Sequence, residues 1–170
     1  MIADSPLFWI IALPFTASLL AICLPARARD AVTWLGGIAT LSCLVLTARL
    51  YPSVAGGETI RHEVEWIPEL GLNFTLRMDG FAWMFALLVS GIGFLVVIYS
   101  RYYISPEDSV RRFYFFFLAF TGSMLGIVTS GNLILLVVFW ELTSIFSFLL
   151  IGYWYQNVAA RDGARMALTI

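Results

Sequence analysis

Apolar runs of about twenty residues alternate along this chain with short polar segments. Twenty is the length a helix needs to cross a bilayer. The pattern predicts five complete spans, at about 6–24, 31–51, 81–100, 113–129 and 133–154, and the start of a sixth at about 163–170. Pro14 falls inside the first run and predicts a kink there, which membrane helices tolerate. Trp9, Trp34, Tyr51, Tyr102, Tyr103, Tyr153 and Tyr155 lie at run ends, as interfacial anchors do. The longest polar segment has a different period. HEVEW and LNFTLRM alternate polar and apolar residues, with PELG between them as a turn. That is a β-hairpin of about 63–78, with strands at 63–67 and 72–78. Asp79 follows it as a predicted N-cap for the third span, and Gly80 comes next. The fold class is an all-α integral membrane protein: one transmembrane domain over 1–170, a polytopic helix bundle carrying a short hairpin.

Composition agrees. Hydrophobic residues make up 61% of the 170 and charged residues 12%, where a soluble domain carries about 25% charged. Mean hydropathy is +0.89. The net charge of −1 gives no reason to expect a nucleic-acid partner; the partner is the lipid bilayer. All 10 basic residues are arginine, and lysine is absent. Arginine placement sets orientation. One set of loops holds Arg27 and Arg29, then Arg101, Arg111 and Arg112, then Arg161 and Arg165. The opposite loops hold Arg49, Arg61 and Arg77 among Glu58, Glu63, Glu65, Glu69 and Asp79. The first set is expected to be cytoplasmic, and the N-terminus and hairpin extracytoplasmic. The expected location is a bacterial-type inner membrane. An acidic flank at Asp4 and a long first run do not read as a cleaved leader.

One residue breaks the pattern. Glu141 stands inside LLVVFWELTSIFSFLLIG. It lies eight residues past Leu133, about 12 Å into a helix of ~30 Å, near mid-membrane. A central acid costs about 2.5–3.5 kcal/mol on insertion scales. Such a group faces a hydrated interior or a charge partner, or stays protonated. At about 100° per residue, Ser144 lies some 60° from Glu141 and Gly152 some 20°, while Thr143 and Ser147 extend a polar arc. The arc predicts an inward face, with Ser144 placed to hydrogen-bond the carboxyl or to hold a water beside it. Glu141 is the candidate proton-transfer residue, with Ser144, Thr143 and Ser147 as support.

The remaining features carry less. Gly122 and Gly126 form a G-x-x-x-G that predicts close helix packing, as do Gly91 and Gly93. Phe113–Phe117 read as lipid-facing bulk. Cys23 and Cys43 read as small helix residues rather than a disulfide. His62 with Glu63 and Glu65 reads as strand surface rather than a metal site. No phosphate loop, cysteine cluster or histidine pair points to a cofactor, and none is expected.

RMDGF, SGNLILLVVFWELTS and FLLIGYW together form a specific signal. They closely resemble the N-terminal part of the A subunit of the Mrp-type (Pha/Mnh) multisubunit Na⁺/H⁺ antiporters. That family is related to the antiporter-like proton-pumping subunits of respiratory complex I. The resemblance covers the whole chain and is strongest from Arg77 to Trp154. It implies a monovalent cation/proton antiporter whose partners are other subunits, protons and Na⁺ or a similar cation. In the family the glutamate of the fifth helix faces a lysine on the seventh, within a proton path near the midplane. Glu141 matches that glutamate. Asp79 and Gly80 match the family's Asp-Gly, for which only a structural role is carried over. With no lysine in this chain, the partner of Glu141 is expected from another segment or chain. Two other readings stay open: a proton-pumping subunit of a complex I-type dehydrogenase or membrane hydrogenase, and an assembly module. ELTSIFSFLLIG favours the antiporter, because complex I chains tend to carry glycines where Leu142–Ser144 stand.

Overall fold

A computed structural model of the protein describes residues 5–25, 28–67, 72–105 and 107–169. Helices α1 (Pro6–Cys23), α2 (Arg29–Arg49) and the short α3 (Tyr51–Ala55) come first. Strands β1 (Ile60–Ile67) and β2 (Leu72–Met78) follow, then α4 (Gly80–Tyr103), α5 (Val110–Thr129), α6 (Leu133–Ile151) and α7 (Val158–Thr169). Among the described residues, five helical segments are long and apolar enough to cross a membrane: α1, α2 with α3, α4, α5, and α6 with the 3-10 turn Gly152–Trp154.

The chain starts and stops these helices by local chemistry. Pro6 opens α1, where its missing N–H is no loss. Asp79 caps α4 and Asn132 caps α6, each accepting a backbone N–H with its side chain. Pro14 stays inside α1, buried, and the helix continues through it. The last helix begins at Val158, not near 163. The Asn157 carboxamide oxygen accepts the Ala159 N–H at 2.9 Å and starts the helix there. Arg161 and Asp162 make that first stretch too polar to show as an apolar run.

Helix α5 is the most buried span and packs against α1, α4 and α6; α1 and α4 also pack on α2. One core cluster sits under the hairpin. There Leu7, Ile10 and Ile11 of α1 meet Leu76 and Met78 of β2, Ala82 and Ala86 of α4, Leu125 of α5, and Leu135 and Phe139 of α6. The other cluster joins Ala17, Val32, Val97, Tyr114 and Leu118 at the arginine-rich end. Lipid gives helices no hydrophobic reason to associate, so packing and hydrogen bonds must hold them together. Trp83 donates its indole N–H to the Thr47 carbonyl at 2.7 Å, tying α4 to α2. The Tyr114 and Ser100 hydroxyls share a hydrogen bond of 2.9 Å between α5 and α4.

Tyr114 is therefore core, not part of a lipid-facing aromatic run, with no exposed surface. Tyr153 differs from its expected place in the same way. It is buried between Phe113 and Arg112, whereas Tyr51, Tyr102, Tyr103 and Tyr155 are exposed. In both cases position along the run gave the height of the ring but not its side of the helix.

The arginines do more than mark one side. Helix C-termini leave carbonyls without intrahelical donors. Arg29 reaches across to the carbonyls of Ser105 at 3.0 Å and Arg101 at 3.2 Å, and to that of Ile104, at the end of α4. Arg111 donates to the Leu24 carbonyl beyond α1 at 2.7 Å, and Arg112 to the Tyr153 carbonyl beyond α6. Arg101 pairs with Asp30 at 3.1 Å. Cations at helix C-termini are favourable on dipole grounds as well.

The hairpin is antiparallel, pairing Ile60 with Met78 and Val64 with Phe74, with an irregularity between Glu65 and Ile67. The predicted PELG turn lies outside the described residues. Phe74, Leu76 and Met78 alternate inward along β2 while Arg77 is exposed. The hairpin thus closes the end of the bundle opposite Arg29, Arg101, Arg111 and Arg112.

Candidate functional site

The site is built on α6. Its height is set at the hairpin. The Gly131 N–H donates to the Thr75 carbonyl at 2.8 Å, and Ser130 bridges Leu76. Asn132 then caps the helix: its Oδ1 accepts the Leu135 N–H at 2.8 Å, and its Nδ2 donates to the Asn73 carbonyl at 2.6 Å.

Rotation of α6 is set by Phe139. An added Cβ on Gly126 would lie 2.4–2.5 Å from that ring, and one on Gly122 would lie 2.9–3.3 Å from the ring of Phe15. The two rings stack on each other with centroids 6.5 Å apart. Gly122 and Gly126 thus form two recesses on α5, each filled by a phenylalanine. Gly93 approaches Thr121 more loosely, with 3.5 Å to a methyl.

Glu141 is two residues beyond Phe139, so it points about 160° away from it. The side chain is exposed and has no hydrogen bond or ion pair to the described residues. The expected inward face is therefore not inward within this chain. The apolar positions Leu135, Phe139 and Leu142 take the inner side because they pack against α1 and α5. Glu141 shares the outer side with Ile134, Val137, Val138, Trp140 and Ile145, all exposed and apolar. Ser144 does not hydrogen-bond the carboxyl. It donates to the Trp140 carbonyl at 3.3 Å, and Thr143 donates to the same oxygen at 2.6 Å. These are back-bonds to the preceding turn, a common use of hydroxyls inside helices. Ser147 is half-buried. The arrangement is a carboxyl at mid-helix, on an apolar outer face, with the Ser144 hydroxyl one turn on.

Asp79 and Gly80 stand apart from Glu141, at the start of α4. Asp79 Oδ1 accepts the Ala82 N–H at 2.9 Å, and Oδ2 pairs with Arg77 at 2.7 Å. The Ala82 hydrogen bond, and to a lesser degree Arg77, hold this carboxyl below its ordinary value of 3.8, against some desolvation. A lowered folded value means the charged form stabilises the fold. The contribution is complete above pH 3.8 and is lost as pH falls through the lower folded value. Asp79→Ala is expected to cost about 1 kcal/mol, the usual size for a lost N-cap. Thermal unfolding in detergent checks it: the gap between wild type and variant present at pH 7 narrows at pH 3.

Cys23 and Cys43 are both free. Among the described residues no group of three metal-ligating side chains is present. Within the hairpin, Asn73 donates to Glu63 at 2.5 Å. The roles of Asn132 and of Arg29, Arg111 and Arg112 as caps were not read from the sequence. For Asn132 the signal was there, an Asn directly before an apolar run. For the arginines none was, because their acceptors lie far away in the chain.

A family model described as NADH-ubiquinone oxidoreductase (complex I), chain 5 N-terminus, matches residues 66–114. A probable K⁺/H⁺ antiporter A/B subunit of Rhizobium meliloti is 60% identical over 168 residues, 99% of this chain and 17% of the relative. The Na⁺/H⁺ antiporter A subunit of Alkalihalophilus pseudofirmus is 40% identical over 166 residues, 96% of this chain and 21% of the relative. This chain thus spans about a fifth of the length of these curated relatives. In the solved Mrp complex from Dietzia, one chain superposes with a TM-score of 0.74 at 29% identity, covering 96% of this chain and 17% of that one. A chain of an archaeal membrane-bound sulfane sulfur reductase superposes with a TM-score of 0.84 at 21% identity, covering 97% and 34%, which shows a shared fold.

Proposed function

From the similarity of nearly the whole chain to the A subunits of such antiporters, we propose that it forms part of a subunit of a multisubunit monovalent cation/proton antiporter. Glu141 passes protons at mid-membrane in this reading. The observation that carries it is the exposure of Glu141 on an apolar face near the middle of a membrane helix. An acid left there in lipid costs about 2.5–3.5 kcal/mol, and such residues mark ion and proton paths. A polar or cationic group on another segment or subunit covers it in the assembled protein. The lysine implied by the family fits that need, since this chain has none. Ser144, Thr143 and Ser147 then line the same polar track, and Asp79, Gly80, Gly122 and Gly126 keep the bundle in shape around it.

The chain acts as a transporter subunit rather than an enzyme, with other subunits, protons and Na⁺ or K⁺ as partners. It sits in a bacterial-type inner membrane. The arginine end is cytoplasmic, and the hairpin and N-terminus are on the far side. The match of residues 66–114 to the complex I chain 5 family supports a second reading, a proton-translocating subunit driven by electron transfer. Dye fluorescence in everted vesicles carrying the full complex separates the two. The antiporter reading expects proton release on a pulse of Na⁺ or K⁺. Acidification by NADH with no response to either cation would establish the redox pump instead.

A further inference from the structure

We propose that Asn132 is a positioning residue that fixes, through the hairpin, the height at which α6 presents Glu141; this rests on the proton-path reading of Glu141. Three successive residues, Ser130, Gly131 and Asn132, are pinned to β2 at Leu76, Thr75 and Asn73. The strand they are pinned to does not yield. Leu76 and Met78 have no exposed surface and sit in the core among α1, α4, α5 and α6. The approach at Gly131 is close enough that an added Cβ would lie 2.6 Å from the Thr75 methyl and 2.9 Å from its carbonyl oxygen.

Residue type makes the case specific. Ser, Asp and Asn cap helices about equally well. Of these only Asn carries an acceptor and an N–H donor on one planar group. At position 132 both are used, one toward α6 and one toward the hairpin. The helix then transmits the setting. With Phe139 held in its recess at Gly126, a loosened cap is expected to shift the carboxyl in depth, on the scale of the ~1.5 Å rise of one residue.

The test uses the complete complex in everted vesicles. Proton movement is read by dye fluorescence across pH, with whichever driver, cation pulse or NADH, works in wild type. Failure of the antiporter reading therefore leaves this test intact. Asn132→Asp keeps the acceptor for Leu135 and sets an oxygen against the Asn73 carbonyl. Asn132→Ser keeps a cap and loses the reach. Both are expected to assemble in normal amount and to displace the pH of half-maximal transport by at least ~0.5 unit, because a moved carboxyl meets different neighbours. The charged and titratable groups on the elements packed against α6 are Arg111 and Arg112 of α5, Arg161, Asp162 and Arg165 of α7, and Arg61, His62, Glu63, Glu65 and Arg77 of the hairpin. None of them is altered by the substitutions. Gly131→Ala strains the same contact from the neighbouring residue and is expected to shift the profile too. Normal assembly with a wild-type pH profile in the two Asn132 variants overturns the proposal. So does loss of the subunit from the membrane in all three variants, which would make the contact one of folding alone.

Discussion

Glu141→Gln is expected to abolish cation-driven proton release while leaving the subunit in the membrane. The expected loss is roughly 10²-fold or more, the scale on which a positioned proton-transfer group contributes. Abundance should change little, since Glu141 has no hydrogen bond or ion pair to the described residues. Gln also keeps the size and shape of Glu, so the packing around the position is retained. Glu141→Asp refines the result. It keeps an ionisable group but withdraws it by one methylene, so partial transport is expected, above Gln and below wild type. Reconstituted vesicles with matched protein content give the measurement. A Gln variant that assembles and transports normally would sink the proton role of Glu141, whatever the family resemblance.

Gly126→Ala is the second large effect, and it acts on packing. The new Cβ would fall 2.4–2.5 Å from three ring carbons of Phe139. The ring cannot simply swing aside, because Phe15 stacks on it and Gly122 holds Phe15 in turn. Overpacking of this sort costs about 1–3 kcal/mol. In a bilayer the loss is felt directly as loosened α5–α6 association. Phe139→Leu in the same chain makes room. The double variant is expected to be more stable than the sum of the two single losses, a coupling of about 0.5–3 kcal/mol for residues in contact. Thermal unfolding in detergent of the four proteins decides it. Equal stability of Gly126→Ala and wild type would contradict the close approach. Gly122→Ala is expected to cost less, because its contacts with Phe15 begin at 2.9 Å.

The five apolar helices and the hairpin were legible in the sequence because period and length carry them directly. Lipid requires runs of about twenty, and a half-covered strand requires alternation. Asp79 and the glycine pair were legible for similar reasons, as local chemistry at a helix start and as small residues one turn apart. What the sequence hid was azimuth. A helix that is apolar all round gives no moment to orient it, so the side of α6 that carries Glu141 could not be read from α6 alone. The polar arc of Thr143, Ser144 and Ser147 suggested a direction. Two of those hydroxyls instead satisfy themselves on Trp140. The deciding residue was Phe139, and its partner recess at Gly126 lies on another helix. The same limit misplaced Tyr114 and Tyr153. It also hid the polar first turns of α7, where charge masked a helix that Asn157 starts.

The two filled recesses on α5 also say what can move. A one-turn slip of α6 along α5, about 5.4 Å, is a known kind of switching step. Toward its own C-terminal end it would carry Phe139 from the recess at Gly126 to that at Gly122, and Phe15 already occupies Gly122. In that direction there is no second seat for α6. In the proposed proton path, α6 is therefore expected to act as a stator against such a slip. Proton transfer at Glu141 is then expected to use side-chain rotation, water, or displacement of the groups that face it, rather than a slip of the helix.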